Sequence, residues 1–223
     1  MSSTTVTIVE VRAKPINPLL ASYLAQLALH PLRTKAFTTA TLCFLQEVLA
    51  THFAGVPAKK PSPDAPLYHQ LLARSQIDTK ALKMAVYGFF ISAPMGHYLV
   101  GALQKAFAGK TSTAAKIGQI LANNLLVAPI QASVYLASMA VINGAKTKEE
   151  VVKTVKSGFM AVMRMTWITS PLTLVFAQQF LSPELWVPFF NIVGFVLGTY
   201  FNTKVKQIRL AAEKKKDKDP KDA

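Results

Sequence analysis

The chain has 223 residues, of which 51% are hydrophobic and only 16% charged, with apolar residues gathered into several long runs. That pattern excludes an ordinary soluble domain and predicts an all-α, multi-pass transmembrane helical bundle. The formal charge of +14 does not signal nucleic acid, because the basic residues flank apolar runs or fill the C-terminal tail without interleaved stacking aromatics; lipid head groups are their expected partner.

Residues 1–16 read as a flexible N-terminus with no apolar leader, so membrane insertion is expected to rest on internal segments. Residues 17–204 form the predicted helical membrane domain, and 205–223 a basic tail expected to be disordered beyond Glu213. Asn17 and Pro18 open an amphipathic helix, an N-cap oxygen followed by a proline where no amide donor is needed. His30, Pro31, Arg33 and Lys35 make a basic collar before the first span, Ala36 to Gly55. Cys43, the single cysteine, lies inside that span, which excludes an internal disulfide and any multi-cysteine metal site. Glu47 is the costly residue, since a carboxylate at membrane depth needs a counter-charge or water.

Residues 56 to 78 contain four prolines and read as an extended, solvated loop. The second span, Ala81 to Phe107, holds Gly88, Ser92 and Gly96 four residues apart, which on a regular helix form one small-residue stripe for close packing. Pro94 would leave the Phe90 carbonyl without its helical donor, and His97 brings an ionisable ring to membrane depth. Gly109-Lys110-Thr111 looks like the end of a P-loop, but Gln104 stands where that motif needs glycine.

Thr111 or Ser112 opens a third run, Ile117 to Ile142, carrying Asn123, Asn124 and Pro129. The two amides suit interhelical hydrogen bonds, or the lining of a wet path. Thr147 with Glu150 reads as a capping box, starting a helix at Lys148 that is amphipathic, then apolar except for Arg164. Arg164 must snorkel, face water or pair with an acid such as Glu47. Ser182, Pro183 and Glu184 precede a last span, Leu185 to Phe201, with Gly194 and Gly198 in GxxxG spacing. The sum is four spans plus one helix, around Arg164, that either spans or lies in the interface. The eight basic residues from Lys204 onward favour a cytosolic C-terminus.

The stretch Tyr23 to Thr38, Y-L-A-Q-L-x3-P-L-R-T-K-x2-T with Pro31 and Thr34 inside it, resembles the peroxisomal membrane protein family that also contains the Mpv-type mitochondrial inner-membrane proteins. Glu47 stands at the acidic position of that family's first span, and Gly88, Pro94, Gly96, His97 and Tyr98 resemble its G-x(n)-P-x-G-H motif. Trp167 and Pro171 match its W-x3-P signature, and Thr199-Tyr200 its closing element. The chain departs at Thr51 (a glutamine in the family), at Asn123-Asn124 (Asp-Gln), near Trp186 (an arginine) and at Leu197 (the closing tryptophan). The resemblance implies a multi-pass protein of the peroxisomal membrane, the mitochondrial inner membrane being the alternative. It also implies membrane-protein import factors as contacts for the basic loops.

No residue set supports catalysis: His30, His52, His69 and His97 are scattered, no metal-ligand spacing is present, and no nucleophile has a neighbouring base. The expectation is a non-enzyme without cofactor or metal. Two functions compete. One is a small-solute pore setting organelle permeability, lined by Glu47, His97, Asn123, Asn124 and Arg164. The other is a scaffold or assembly factor without transport, self-associating as a homo-oligomer through Gly88/Ser92/Gly96 and Gly194/Gly198.

Overall fold

The computed structural model describes residues 17–57, 78–110, 112–182 and 185–218. The expected flexible N-terminus, most of the 56–78 loop with His69, and Pro183 and Glu184 of the last cap lie outside them.

Six helices follow in order, with no strand among the described residues. Helix α1, Pro18–Leu29, is capped by Asn17, whose Oδ1 accepts the Leu19 amide at 2.9 Å. It ends at His30, and Pro31 at once starts α2, Pro31–Phe53. The two are tied across the bend by the Thr34 hydroxyl, which donates to the Gln26 carbonyl at 2.9 Å. Helix α3, Thr79–Ala106, begins at Asp78, whose carboxylate accepts the Lys80 amide. Helix α4, Thr113–Ile142, is capped by Ser112. Both end near glycines in the left-handed region, Gly109 (φ 77°) and Gly144 (φ 100°). Helix α5, Lys148–Phe180, starts at the Thr147 cap; Glu150, however, accepts the Lys146 amide, one residue earlier than a capping box requires. Helix α6, Trp186–Lys218, runs straight through the basic stretch, so the expected tail is helical well past Glu213.

The interior is built from small residues and the exterior from large apolar ones. Ala36, Ala50, Ala81, Ala93, Ala128, Ala132, Ala140 and Ala177 are buried, whereas Phe37, Phe90, Leu126, Ile168, Leu172 and Ile192 are exposed. In water this would be a poor surface; in lipid, where apolar side chains gain nothing by leaving the solvent, close contact between small residues drives association. Helix α2 packs between α3 and α6, α4 packs on α5, α3 adjoins α4, and α5 touches α6 only lightly. Contacts of Glu47 with Lys80 and of Gly88 with Thr39 make α2 and α3 antiparallel. Gln46 against Gly194 and Thr51 against Lys206 make α2 and α6 parallel.

Among the described residues, three helices are long and apolar enough to cross a membrane: α3, α4 and the Lys148–Ala177 part of α5. This corrects the expectation of four spans in two ways. The Arg164 helix qualifies, while α2 and α6 do not. In α2 the threonines, Gln46, Glu47 and His52 dilute the apolar run. In α6 the apolar part from Trp186 ends at Asn202, about 24 Å at about 1.5 Å per residue, against a hydrocarbon core of about 30 Å.

Each of α3 and α4 contains a π turn, Gly88–Ser92 and Asn123–Val127, followed by an Ala-Pro pair, Ala93-Pro94 and Ala128-Pro129. A proline inside a helix clashes with the carbonyl four residues back, and one wider turn just before it relieves the clash without ending the helix. The extra residue also rotates everything beyond it by about 100°. The expected stripe of Gly88, Ser92 and Gly96 is therefore split. A Cβ on Gly88 would lie 2.9 Å from the Thr39 carbonyl oxygen of α2, whereas one on Gly96 would face Gln131 of α4 at 3.6 Å. Ser92 lies between them, half-buried within the π turn.

Candidate functional site: a buried ion cluster joining α2, α3 and α6

Helical spacing places Cys43, Glu47 and Thr51 on one face of α2, the face turned toward α3 and α6. Glu47 is fully buried. Its Oε1 lies 3.2 Å from Lys80 Nζ of α3 and 2.7 Å from Lys206 Nζ of α6. Lys206 also donates to the Thr51 hydroxyl and, at 3.5 Å, to the Glu47 carbonyl. The two lysine side chains keep 18% and 12% of their surface, so each ammonium approaches the carboxylate from the rim of the bundle. One negative charge held by two positive ones fixes three helices at a point, and withdrawing the carboxylate would leave two cations facing each other at low dielectric.

Arg164 is not among the partners of Glu47. It stands on the exposed face of α5, away from this cluster. Insertion scales put an arginine at a helix centre at roughly 2.5–3.5 kcal/mol.

A second polar layer continues the α2–α6 seam. Gln46 Nε2 donates to the carbonyls of Gly194 at 3.0 Å and Phe195 at 3.3 Å. A Cβ on Gly198 would fall 2.5 Å from that same amide, whereas Gly194 has open space around it. The GxxxG pair thus admits a glutamine of the same chain: Gly194 supplies a carbonyl and Gly198 the room. Nearby, Tyr135 of α4 donates to Asn202 Oδ1 at 3.2 Å, and its ring pairs with Tyr87 at 6.1 Å.

The α4–α5 seam is neutral. In the π turn the Ala128 amide reaches back to Asn123. The next bond of that register, to the Asn124 carbonyl, falls to Pro129, which has no N–H. Trp167 of α5 fills the vacancy, its Nε1–H donating to the Asn124 carbonyl at 3.0 Å. Asn124 is itself buried, with Nδ2 on the Ile120 carbonyl at 2.9 Å and Oδ1 without a donor among the described residues. His97 Nδ1 is likewise buried and without a partner, its ring set edge-on to Tyr98. Asn123 is half-buried beside it in the chain.

The five polar residues expected to line one route are therefore not gathered. Glu47 sits with α3 and α6, Asn124 with α5, and Arg164 on the outside. Lys80, Lys206, Gln46, Tyr135 and Asn202 belong to the buried polar layers although nothing in their local sequence announces it. The available signal was Glu47 itself, which demands a cation from another helix, with Lys206 lying just beyond the last apolar run.

Against known proteins, residues 140–202 match the Mpv17 / PMP22 family model. The chain is 56% identical over 196 residues to the Woronin body membrane protein wscA of Aspergillus fumigatus, covering 88% of this chain and 80% of that one. It is 47% identical over 197 residues to the Woronin sorting complex protein of Neurospora crassa, of whose length it spans 60%. More distant relatives include the peroxisomal membrane protein 2 of Bos taurus, 28% identical over 81% of this chain and 86% of that one. No solved structure matches. The matched segment runs from the end of α4 to Asn202 and includes Trp167, which closes the α4–α5 seam, and Gly198, which makes room in the α2–α6 seam; the chain belongs to the Mpv17 / PMP22 family.

Proposed function

We propose that this protein is a non-catalytic organiser of the peroxisomal or Woronin-body membrane, a multi-pass scaffold that holds or sorts other proteins there. The observation that carries this reading is the fate of Glu47: the buried acid is consumed by Lys80 and Lys206 in joining three helices. Gln46, Tyr135 and Trp167 are likewise spent on interhelical bonds. Relatives described as a Woronin body membrane protein and a Woronin sorting complex protein support an assembly role. The basic residues at the ends of the spans are the proposed contacts for membrane-protein import factors, and self-association as a homo-oligomer fits the same role. Reconstituted protein in planar bilayers is expected to show no conductance above bare membranes at any pH or voltage. Reproducible single-channel steps would overturn the reading.

A small-solute pore is the second reading, favoured by Asn124 Oδ1 and His97 Nδ1, buried polar atoms without partners among the described residues, for which water is the natural donor. It requires conductance that falls in His97→Gln and Asn124→Leu variants.

A further inference from the structure

Arg164 lies in α5, Lys148–Phe180, eight residues beyond Lys156, the last charged residue before it. It belongs to an uncovered stripe at helical spacing with Met160, Ile168, Leu172 and Val175, which are 46%, 63%, 66% and 57% exposed. The opposite face of α5 is the one that packs, through fully buried Met163 and partly buried Phe159 and Val162 against Ala128 and Ala132 of α4. Of the apolar window of α5 only 6% is buried, against 22% for α4, so α5 is the span with most surface left to cover. A guanidinium cannot shed its charge, and a cation within a lipid-facing apolar stripe demands an anion or water at its depth.

We propose that this stripe docks a transmembrane helix of a partner protein that carries an aspartate or glutamate at the depth of Arg164, opposite it. Charge complementarity selects that occupant over a second copy of this chain. The spans α3 and α4 contain no acid, α5 has acids only in its first turn, and Glu47, on α2, is enclosed and already paired. A two-fold contact through this stripe would set Arg164 against its own copy. This docking surface rests on the organiser role proposed above and names the partner's chemistry.

The test uses the full-length protein, fluorescently labelled at its C-terminal tail and reconstituted in phosphatidylcholine vesicles. Energy transfer is read to labelled Leu/Ala transmembrane peptides of about 20 residues carrying Glu, Leu or Lys at the centre. The wild type is expected to associate with the Glu peptide about tenfold more strongly than with the Leu peptide, about 1.4 kcal/mol. Arg164→Leu should lose that preference, and Arg164→Glu should turn it toward the Lys peptide. Arg164→Lys, the mildest change, should keep the Glu preference and guards against loss through misfolding. Equal association of Glu and Leu peptides with the wild type would mean that the stripe faces lipid with Arg164 snorkelling, and would overturn the proposal. So would an undiminished Glu preference in Arg164→Leu. Arg164-dependent energy transfer between labelled copies without peptide would assign the stripe to self-association instead. Channel recordings decide the organiser role separately, so failure of one is not failure of the other.

Discussion

The α2-centred seam and the α4–α5 seam meet the same difficulty, polar groups buried between helices, by opposite means. The first uses charge: one enclosed carboxylate between two ammoniums brought from α3 and α6. The second uses a neutral bond: a π turn ahead of a proline shifts a carbonyl out of the helical ladder, and an indole N–H takes it. The difference teaches that a charged junction tolerates no partial removal, because each partner is costly alone, whereas a neutral one degrades gently.

Substitutions should rank accordingly, each read as a shift in unfolding free energy in mixed micelles. Glu47→Ala leaves two cations without their anion and is expected to cost about 3–5 kcal/mol, the largest effect of any single change. Gly88→Val meets the α2 backbone at Thr39 and Ala40, which cannot swing aside as a side chain does, and is expected to cost about 2–3 kcal/mol. Trp167→Phe keeps the ring but leaves the Asn124 carbonyl without its donor, about 1–2 kcal/mol. Tyr135→Phe removes only the hydroxyl bond to Asn202, about 0.5–1.5 kcal/mol. A Glu47→Ala effect no larger than that of Tyr135→Phe would erase the distinction between the two seams.

Much of the helical order was legible, because caps are local: Asn17, Asp78, Ser112 and Thr147 each act within four residues. The cost of Glu47 was legible too, but not its partners. Lysines at the ends of apolar runs read as head-group anchors, and nothing short of the fold brings Lys206 back to residue 47. The stripe of Gly88, Ser92 and Gly96 misled because counting in fours assumes a regular helix. The corrective lay within it, in Pro94, and again in Pro129: each of these prolines follows a wider turn, whereas Pro171 in α5 does not. The span count erred for α6 because apolar composition was weighed without length.

The parallel pairing of α2 with α6 sets an order of events in the life of the chain. Glu47 is made early, yet its closer counter-ion is Lys206, 2.7 Å away and near the end of the sequence. Lys80, made soon after, can meet the carboxylate while synthesis continues, but the second ammonium arrives only with the final helix. A chain cut short before Lys206 would thus hold Glu47 by one lysine of two, with α2 and α6 left untied at that point.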